Sequence, residues 1–336
     1  MKLVEKVSQL IGDTPVFSLS HPLIPDNKKL YLKLEQFNPN FSIKDRTALG
    51  LIEKALESGK LKPGGTVIES TSGNLGKSLA MLSASLKFKL IVVVDPKVSK
   101  NSLNWFKAFG VDVETVTTPD ASGGFQTARI ARVKELLKDN PDAFWTNQYD
   151  NPDNPHYHES VTANEFLDIP ADMIVGTVST GGHFTGISKG IKKVNSNMKS
   201  LACDVAGSAI FGSQFHPYLL NGLGLSWRSD NTHIDAFDYL LNVSDQNAIS
   251  ICHMIAKDLG LLLGGSSGVV IFSALVALQL QNINSVVAIA PDTGVNYLDQ
   301  FYDAEWLLEK EVQLLTLDEL KQEVNKSVLS IRKVNE

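Results

Sequence analysis

Apolar and polar residues follow two alternating periods along most of the chain. Short apolar runs at 66–69, 89–94 (KLIVVV), 111–116, 143–146, 173–178, 200–205 and 285–290 read as buried strands. Between and around them, apolar residues three and four apart predict helices over 47–58, 75–86, 99–109, 124–138, 157–167, 184–195, 245–259 and 267–280. This alternation predicts an α/β protein with parallel-rich sheets, organised as two three-layer α/β domains. Residues 1–46 and 151–310 are expected to form the larger, cofactor-binding domain, and 47–150 a smaller, mobile one. Residues 1–40 add an opening helix and a hairpin-like pair, VFSLS and KLYLKLE. The charged segment 311–336 carries Leu and Val at helical spacing and predicts a peripheral C-terminal helical tail. Residues 207–233 are rich in Gly and aromatics with weak periodicity, which predicts a long loop, either functional at the second-substrate entrance or a structural excursion.

Composition narrows the function classes. A length of 336 residues with 43% apolar content suffices for two sizeable lobes. The net charge of −6 makes nucleic acid an unexpected partner. The N-terminal MKLVEKVSQLIGDTPV has no long apolar run, and no stretch reaches the roughly 18 apolar residues of a membrane span, so a cytoplasmic protein without a membrane partner is expected. The two cysteines, Cys203 and Cys252, fall in strand and helix patterns and read as core residues of a reduced protein. His156 and His158 lie two apart and share no helix face, so no metal site is expected.

Two points carry the chemistry. Lys44, in SIKDR, stands at the mouth of the helix predicted from 47, where the positive helix end favours a neutral amine, the form that makes a Schiff base. A solvated surface lysine is the alternative. Ser70-Thr71-Ser72-Gly73-Asn74 follows a strand and enters a helix, so its unpaired amides and small hydroxyls suit an anion; Asn74 could instead cap that helix. Ser179-Thr180-Gly181-Gly182-His183-Phe184-Thr185-Gly186 repeats the arrangement, a Gly-rich turn entering a helix, without a Walker A or dinucleotide register. One lysine with two anion loops points to a cofactor bearing a phosphate and an aldehyde beside a substrate bearing a carboxylate, which is pyridoxal phosphate with an amino acid.

The landmarks IGDTPV (11–16), KLEQFNPNFSIKDR (33–46), ESTSGNLG (69–76), NQYDNPDNP (147–155), STGGHFTG (179–186), LLGGSSG (262–268) and APDTGVNYL (290–298) occur in order. Over about residues 8–305 the chain thereby resembles the cysteine synthase/cystathionine β-synthase family, fold-type II pyridoxal 5′-phosphate enzymes with a tryptophan-synthase-β-like fold. The resemblance implies that Lys44 is the Schiff-base and catalytic lysine. It implies that Asn74 contacts the ring hydroxyl and that Ser179, Thr180, Gly181, Gly182, His183 and Thr185 form the phosphate cradle. Thr293 takes the place of a serine facing the pyridine nitrogen, and Ser70, Thr71, Ser72 and Gly73 bind the substrate carboxylate. His183 departs from the family, which usually has threonine there.

Within the family the chain resembles the siderophore-pathway members that join O-phospho-L-serine to L-glutamate. It shares with them VVDPKVS (93–99), TPDASGGF (118–125), the run from Arg129 to 137, NQY (147–149) and GSAIFG (207–212). Leu75, Ser179 and Arg129 differ from an ordinary cysteine synthase. This implies a β-replacement through an aminoacrylate, giving N-(2-amino-2-carboxyethyl)-L-glutamate, a precursor of 2,3-diaminopropionate, and a homodimer with small amino-acid substrates. Arg129, Gln148, Tyr149 and Ser179 would then meet substrate. The alternatives are a surface residue for Arg129, a domain-boundary aromatic for Tyr149 and a helix cap for Ser179. The rival activities are cysteine synthase with O-acetyl- or O-phospho-L-serine and sulfide, a serine/threonine dehydratase, and a non-catalytic binding protein of the same fold.

Overall fold

The computed structural model describes residues 3–119 and 125–334. Residues 120–124, within the TPDASGGF stretch and at the expected start of one helix, lie outside the described residues.

Eleven strands among the described residues make two sheets. The smaller contains β3 (Thr66–Ser70), β4 (Lys89–Val94), β5 (Asp112–Thr115) and β6 (Phe144–Trp145), all parallel in the order β5-β4-β3-β6. The larger contains β1 (Val16–Leu19), β2 (Lys29–Leu34), β7 (Met173–Thr177), β8 (Lys199–Val205), β9 (Tyr239–Val243), β10 (Ser285–Ala290) and β11 (Arg332–Lys333), in the order β1-β2-β10-β7-β8-β9-β11. Its inner five strands are parallel, and β1 and β11 close the edges antiparallel. The helices are α1 (Lys44–Glu57), α2 (Asn74–Leu86), α3 (Lys100–Ala108), α4 (Gln126–Asp139), α5 (Asp153–Ser160), α6 (Gly182–Val194), α7 (Asp245–Leu259), α8 (Gly265–Ala277), α9 (Ala304–Glu309) and α10 (Leu317–Ser327).

Both faces of each sheet are covered, which is why the strands read as continuous apolar runs rather than as alternation. Along β8, Leu201, Cys203 and Val205 enter one core with α7 and α8, while Ala202 enters a second core with α6. Along β3, Val67 faces α1 and α2, and Ile68 faces α4. Each sheet is therefore the middle of a three-layer α/β unit. Cys203 and Cys252 are buried and unpaired by disulfide. The chain passes between the units beside the site: Ile43 packs in a core of the larger sheet, and Ala48, Leu49 and Ile52 pack in that of the smaller.

Some expectations change. β9 was not foreseen; its Tyr-Leu-Leu-Asn-Val has one β-branched residue, and only pairing with β8 makes it a strand. The helix expected over 157–167 begins earlier, with Pro155 in its first turn, and gives way to a 3-10 turn at Thr162–Phe166. The tail is more than peripheral: Leu320 and Val324 of α10, four apart, are buried in the main core, and β11 extends the sheet beyond β9. No helix among the described residues is long and apolar enough to cross a membrane.

Candidate active site

The C-terminal ends of β3, β4, β6, β7 and β10 open onto one cleft of about 360 Å³. Convergence of strand ends is where an open parallel sheet presents its loops. Lys44, Ser70, Thr71, Ser72, Gly73, Asn74, Arg129, Gln148, Tyr149, Ser179, Thr180 and His183 all line it. Gly181, Gly182, Thr185 and Thr293 do not.

Lys44 is the first residue of α1. Burial lowers its amine to about 8, against the charge of Asp292, which works the other way. The sequence argument placed the cause in the helix end; in the fold the lowering comes from desolvation.

At α2 the N-cap is Gly73, which has no side chain to cap with, and Gly73, Asn74 and Leu75 line the cleft. Thr71 Oγ1 accepts from Gly76 N at 3.3 Å and holds the loop in place. Asn74 Nδ2 donates to Asp292 Oδ2 at 2.8 Å, and its Oδ1 accepts from Asn296 at 3.4 Å. Behind the loop, Glu69 accepts from Ser70 N at 2.8 Å, from the Thr146 hydroxyl and from Gln148 N at 3.3 Å. One buried carboxyl, pushed up to about 7 by burial, thus ties the loop to the Gln148–Tyr149 segment.

At α6 the N-cap is Gly181, with φ 81°, again without a side-chain cap. A Cβ on Gly182 would lie 2.1 Å from Asn154 Oδ1, so glycine is required for α6 to approach α5. Thr185 is fully buried and its Oγ1 accepts from His233 N at 3.3 Å, behind the cleft. His183 is 4% exposed, and neither ring nitrogen has a partner among the described residues. Burial, then the charge of Lys44, keeps the ring neutral.

Thr293 Oγ1 accepts from Val295 N at 3.3 Å and caps a short 3-10 turn. The neighbouring Asp292 lines the cleft instead, held by Tyr297 Oη at 2.8 Å as well as by Asn74. Sequence reasoning quoted Asp292 in a landmark without giving it a role. It also passed over Lys77, which follows Asn74 by three and so shares its helix face. Lys77 Nζ donates to Asn296 Oδ1 at 2.9 Å, and burial lowers its pKa.

Arg129 is brought to the cleft but is not a free fork: its Nη1 is 3.3 Å from Asp95 Oδ2. With Lys97 and Tyr149 it forms the wall between the cleft and a second cavity of about 920 Å³, lined also by Phe125, Gln126 and Trp227. Trp227 lies 5.5 Å, centroid to centroid, from Tyr149, whose hydroxyl is pushed up to about 12 by burial. The loop expected over 207–233 has no regular element until its end, and contributes 221–225 to the cleft. Asp245 anchors it by accepting from Leu219 N and Leu220 N at 2.9 and 3.1 Å.

The donor set fits pyridoxal phosphate: a lysine amine that reaches its neutral form near 8, an uncapped Gly-rich helix start, and a buried imidazole with unmade hydrogen bonds beside it. Among the described residues no three His, Cys, Asp or Glu gather as a metal site.

Comparison with known proteins agrees. The chain is 37% identical over 310 residues, 91% of each protein, to the N-(2-amino-2-carboxyethyl)-L-glutamate synthase of Ralstonia nicotianae. An O-acetyl serine sulfhydrylase, isoform 3 of Entamoeba histolytica, matches with TM-score 0.85 and 30% identity, covering 96% of both chains. An O-ureido-L-serine synthase matches with TM-score 0.84 and 28% identity, covering 95% of this chain and 99% of the other. The family model described as "Pyridoxal-phosphate dependent enzyme" matches residues 7–292, and the chain belongs to that family.

Proposed function

We propose that this enzyme joins O-phospho-L-serine to L-glutamate, giving N-(2-amino-2-carboxyethyl)-L-glutamate and phosphate. The observation that carries the reading is the shared wall of Lys97, Arg129 and Tyr149 between two cavities. Lys97 there, with Arg129 held beside it by Asp95, suits a phosphorylated donor and a dicarboxylate nucleophile, whereas sulfide needs neither the charge nor the room. The 37% identity to a synthase of that product supports it. In this reading the unit of the four-stranded sheet closes over the substrate, and a cytoplasmic homodimer serves 2,3-diaminopropionate and siderophore biosynthesis.

Pyridoxal phosphate, when bound, supplies the electron sink for carbanion character at the substrate Cα. Lys44 would hold it, with the α6 start at its phosphate and Asn74 at its ring hydroxyl. The uncapped amides of α2 and the hydroxyls of Ser70, Thr71 and Ser72 bind the substrate carboxylate. Lys44 Nζ takes the Cα proton. The Cβ–O bond breaks and phosphate leaves with the electron pair, oriented by Arg129, Tyr149 and Ser179. The α-amine of glutamate bonds to Cβ and loses a proton, and Lys44 returns one to Cα. Closure of the 70–73 loop excludes water, so replacement outruns hydrolysis.

Cysteine synthesis is the second reading, supported by the likeness to an O-acetyl serine sulfhydrylase. The experiment pairs O-phospho-L-serine or O-acetyl-L-serine with L-glutamate or sulfide and identifies products by mass spectrometry. A glutamate adduct with released phosphate supports the first reading. Turnover with sulfide alone, and better from O-acetylserine, establishes the second.

A further inference from the structure

Of the thirteen residues of α2, Lys77 alone is charged, and it is 5% exposed. Taking an ammonium out of water without a counter-charge is costly, so a lone buried cation is expected to have an anion to meet. Among the described residues Lys77 has no ion pair. Its Nζ donates to Asn296 Oδ1 at 2.9 Å and stands 5.8 Å from the centre of the Trp105 ring of α3. Burial disfavours its charge, and the charge of Asp292, beyond ion-pair distance, favours it.

The open direction is the cleft, which Lys77 lines. An ammonium carries three donors, and the bond to Asn296 uses one. The surroundings fix its place. Trp105 Nε1 donates to Lys77 O at 3.2 Å and pins α3 to α2, and Asn296 Nδ2 donates to Asn74 Oδ1 at 3.4 Å, which leaves the Asn296 oxygen for Lys77. Ser102, one turn before Trp105 on α3, is buried and also lines the cleft. Its Oγ accepts from Ser99 Oγ at 3.0 Å, so its own O–H is left to donate. Lys97 and Arg129 make a separate cationic place, at the wall of the second cavity, which Lys77 does not line.

We propose that Lys77, with the Ser102 hydroxyl, binds the side-chain carboxylate of the L-glutamate nucleophile and so selects an acidic amino acid. This rests on the reading in which glutamate is the nucleophile, and it names the residue that recognises it. One carboxylate neutralises one ammonium, whereas a phosphate dianion is better matched by the two cations at the wall. The donor's own carboxylate has the α2 start, one helical turn away. Sulfide offers nothing for Lys77 to hold, and an apolar residue would then serve this buried position better.

The test gives holoenzyme O-phospho-L-serine with an equimolar mixture of L-glutamate and L-glutamine, whose side chain ends in a neutral amide. Mass spectrometry of the two adducts yields the ratio of kcat/KM for the two nucleophiles. It is measured in wild type, Lys77→Met, Lys77→Gln, which keeps a donor for Asn296 without the charge, and Lys77→Arg, which keeps the charge. Melting temperatures establish that each variant is folded. Wild type is expected to favour glutamate. Both neutral variants should lower the ratio about tenfold or more, chiefly through a higher KM for glutamate, and Lys77→Arg should retain most of it. If the neutral variants keep the wild-type ratio, losing activity equally with both nucleophiles or with neither, the proposal is overturned and the glutamate reading stands. A wild type that forms both adducts equally has the same meaning. If wild type forms neither adduct and turns over with sulfide alone, the glutamate reading itself fails and takes the proposal with it.

Discussion

Asn74 donates its side-chain amide to Asp292 Oδ2 at 2.8 Å, so the first residue of α2 is held by the segment that follows β10 in the other sheet. Asp292 is buried, and its charge also reaches Lys44, whose pKa it raises against the stronger effect of burial. Apoenzyme should therefore capture pyridoxal phosphate at a rate that rises with pH around about 8 rather than around 10.5. Asp292→Asn removes the one effect that favours the charged amine and should move that midpoint lower. Stopped-flow absorbance across pH measures it; an unchanged or higher midpoint would sink the assignment.

Arg46, two residues beyond Lys44, is 1% exposed and binds Glu35 at 2.7 Å and Glu165 at 2.5 Å. Burial alone would raise the Glu165 pKa, but Arg46 and Lys33 outweigh it and hold the carboxyl at about 2, below its ordinary 4.5. The stability this contributes is complete above 4.5 and is lost as pH falls from there toward 2. Arg46→Met leaves Glu35 buried without its cation and should cost about 3–5 kcal/mol at neutral pH, read by chemical denaturation.

Gly182→Ala should be poorly tolerated, because its Cβ would meet Asn154, which is fully buried and whose Nδ2 donates to Gln148 O at 2.8 Å. Either α6 or the Asn154 side chain must move to relieve so close an approach, which disturbs the proposed phosphate cradle and Gln148 together. A loss of about 1–3 kcal/mol and weaker cofactor binding are expected, measured by melting and by cofactor titration. A wild-type melting temperature with unchanged affinity would show that the packing gives way freely.

Arg129→Gln separates the two activity readings. It removes the guanidinium at the wall between the cavities and leaves Asp95 without its ion pair. The ratio kcat/KM for O-phospho-L-serine should fall about tenfold to a hundredfold while that for O-acetyl-L-serine changes little. Equal loss with both donors would make Arg129 a structural residue.

Much of the fold was legible because its signals are local. The apolar runs of β3, β4, β7, β8 and β10 are strands in any arrangement that buries both faces, and their loops mark the cleft. Lys44 and the loops at 70–74 and 179–186 stood out because a lysine at a helix mouth and a Gly- and hydroxyl-rich turn from strand into helix are properties of consecutive residues. Asp292 was illegible as a site residue. Which of Asp292 and Thr293 faces the cleft depends on the bridges Ser42↔Asp292 and Leu263↔Thr293, both between distant parts of the chain.

The sequence by itself determined the α/β alternation, the Schiff-base lysine candidate and the two anion loops, since backbone periodicity and helix-start chemistry are set by near neighbours. Only the tertiary structure decided that Asn74 meets Asp292, that Arg129 faces Asp95, that Thr185 lies behind the cleft and that His183 is left without a partner. Those are contacts between segments far apart in the chain, and burial, which sets the pKa of Lys44, exists only once both sheets are in place.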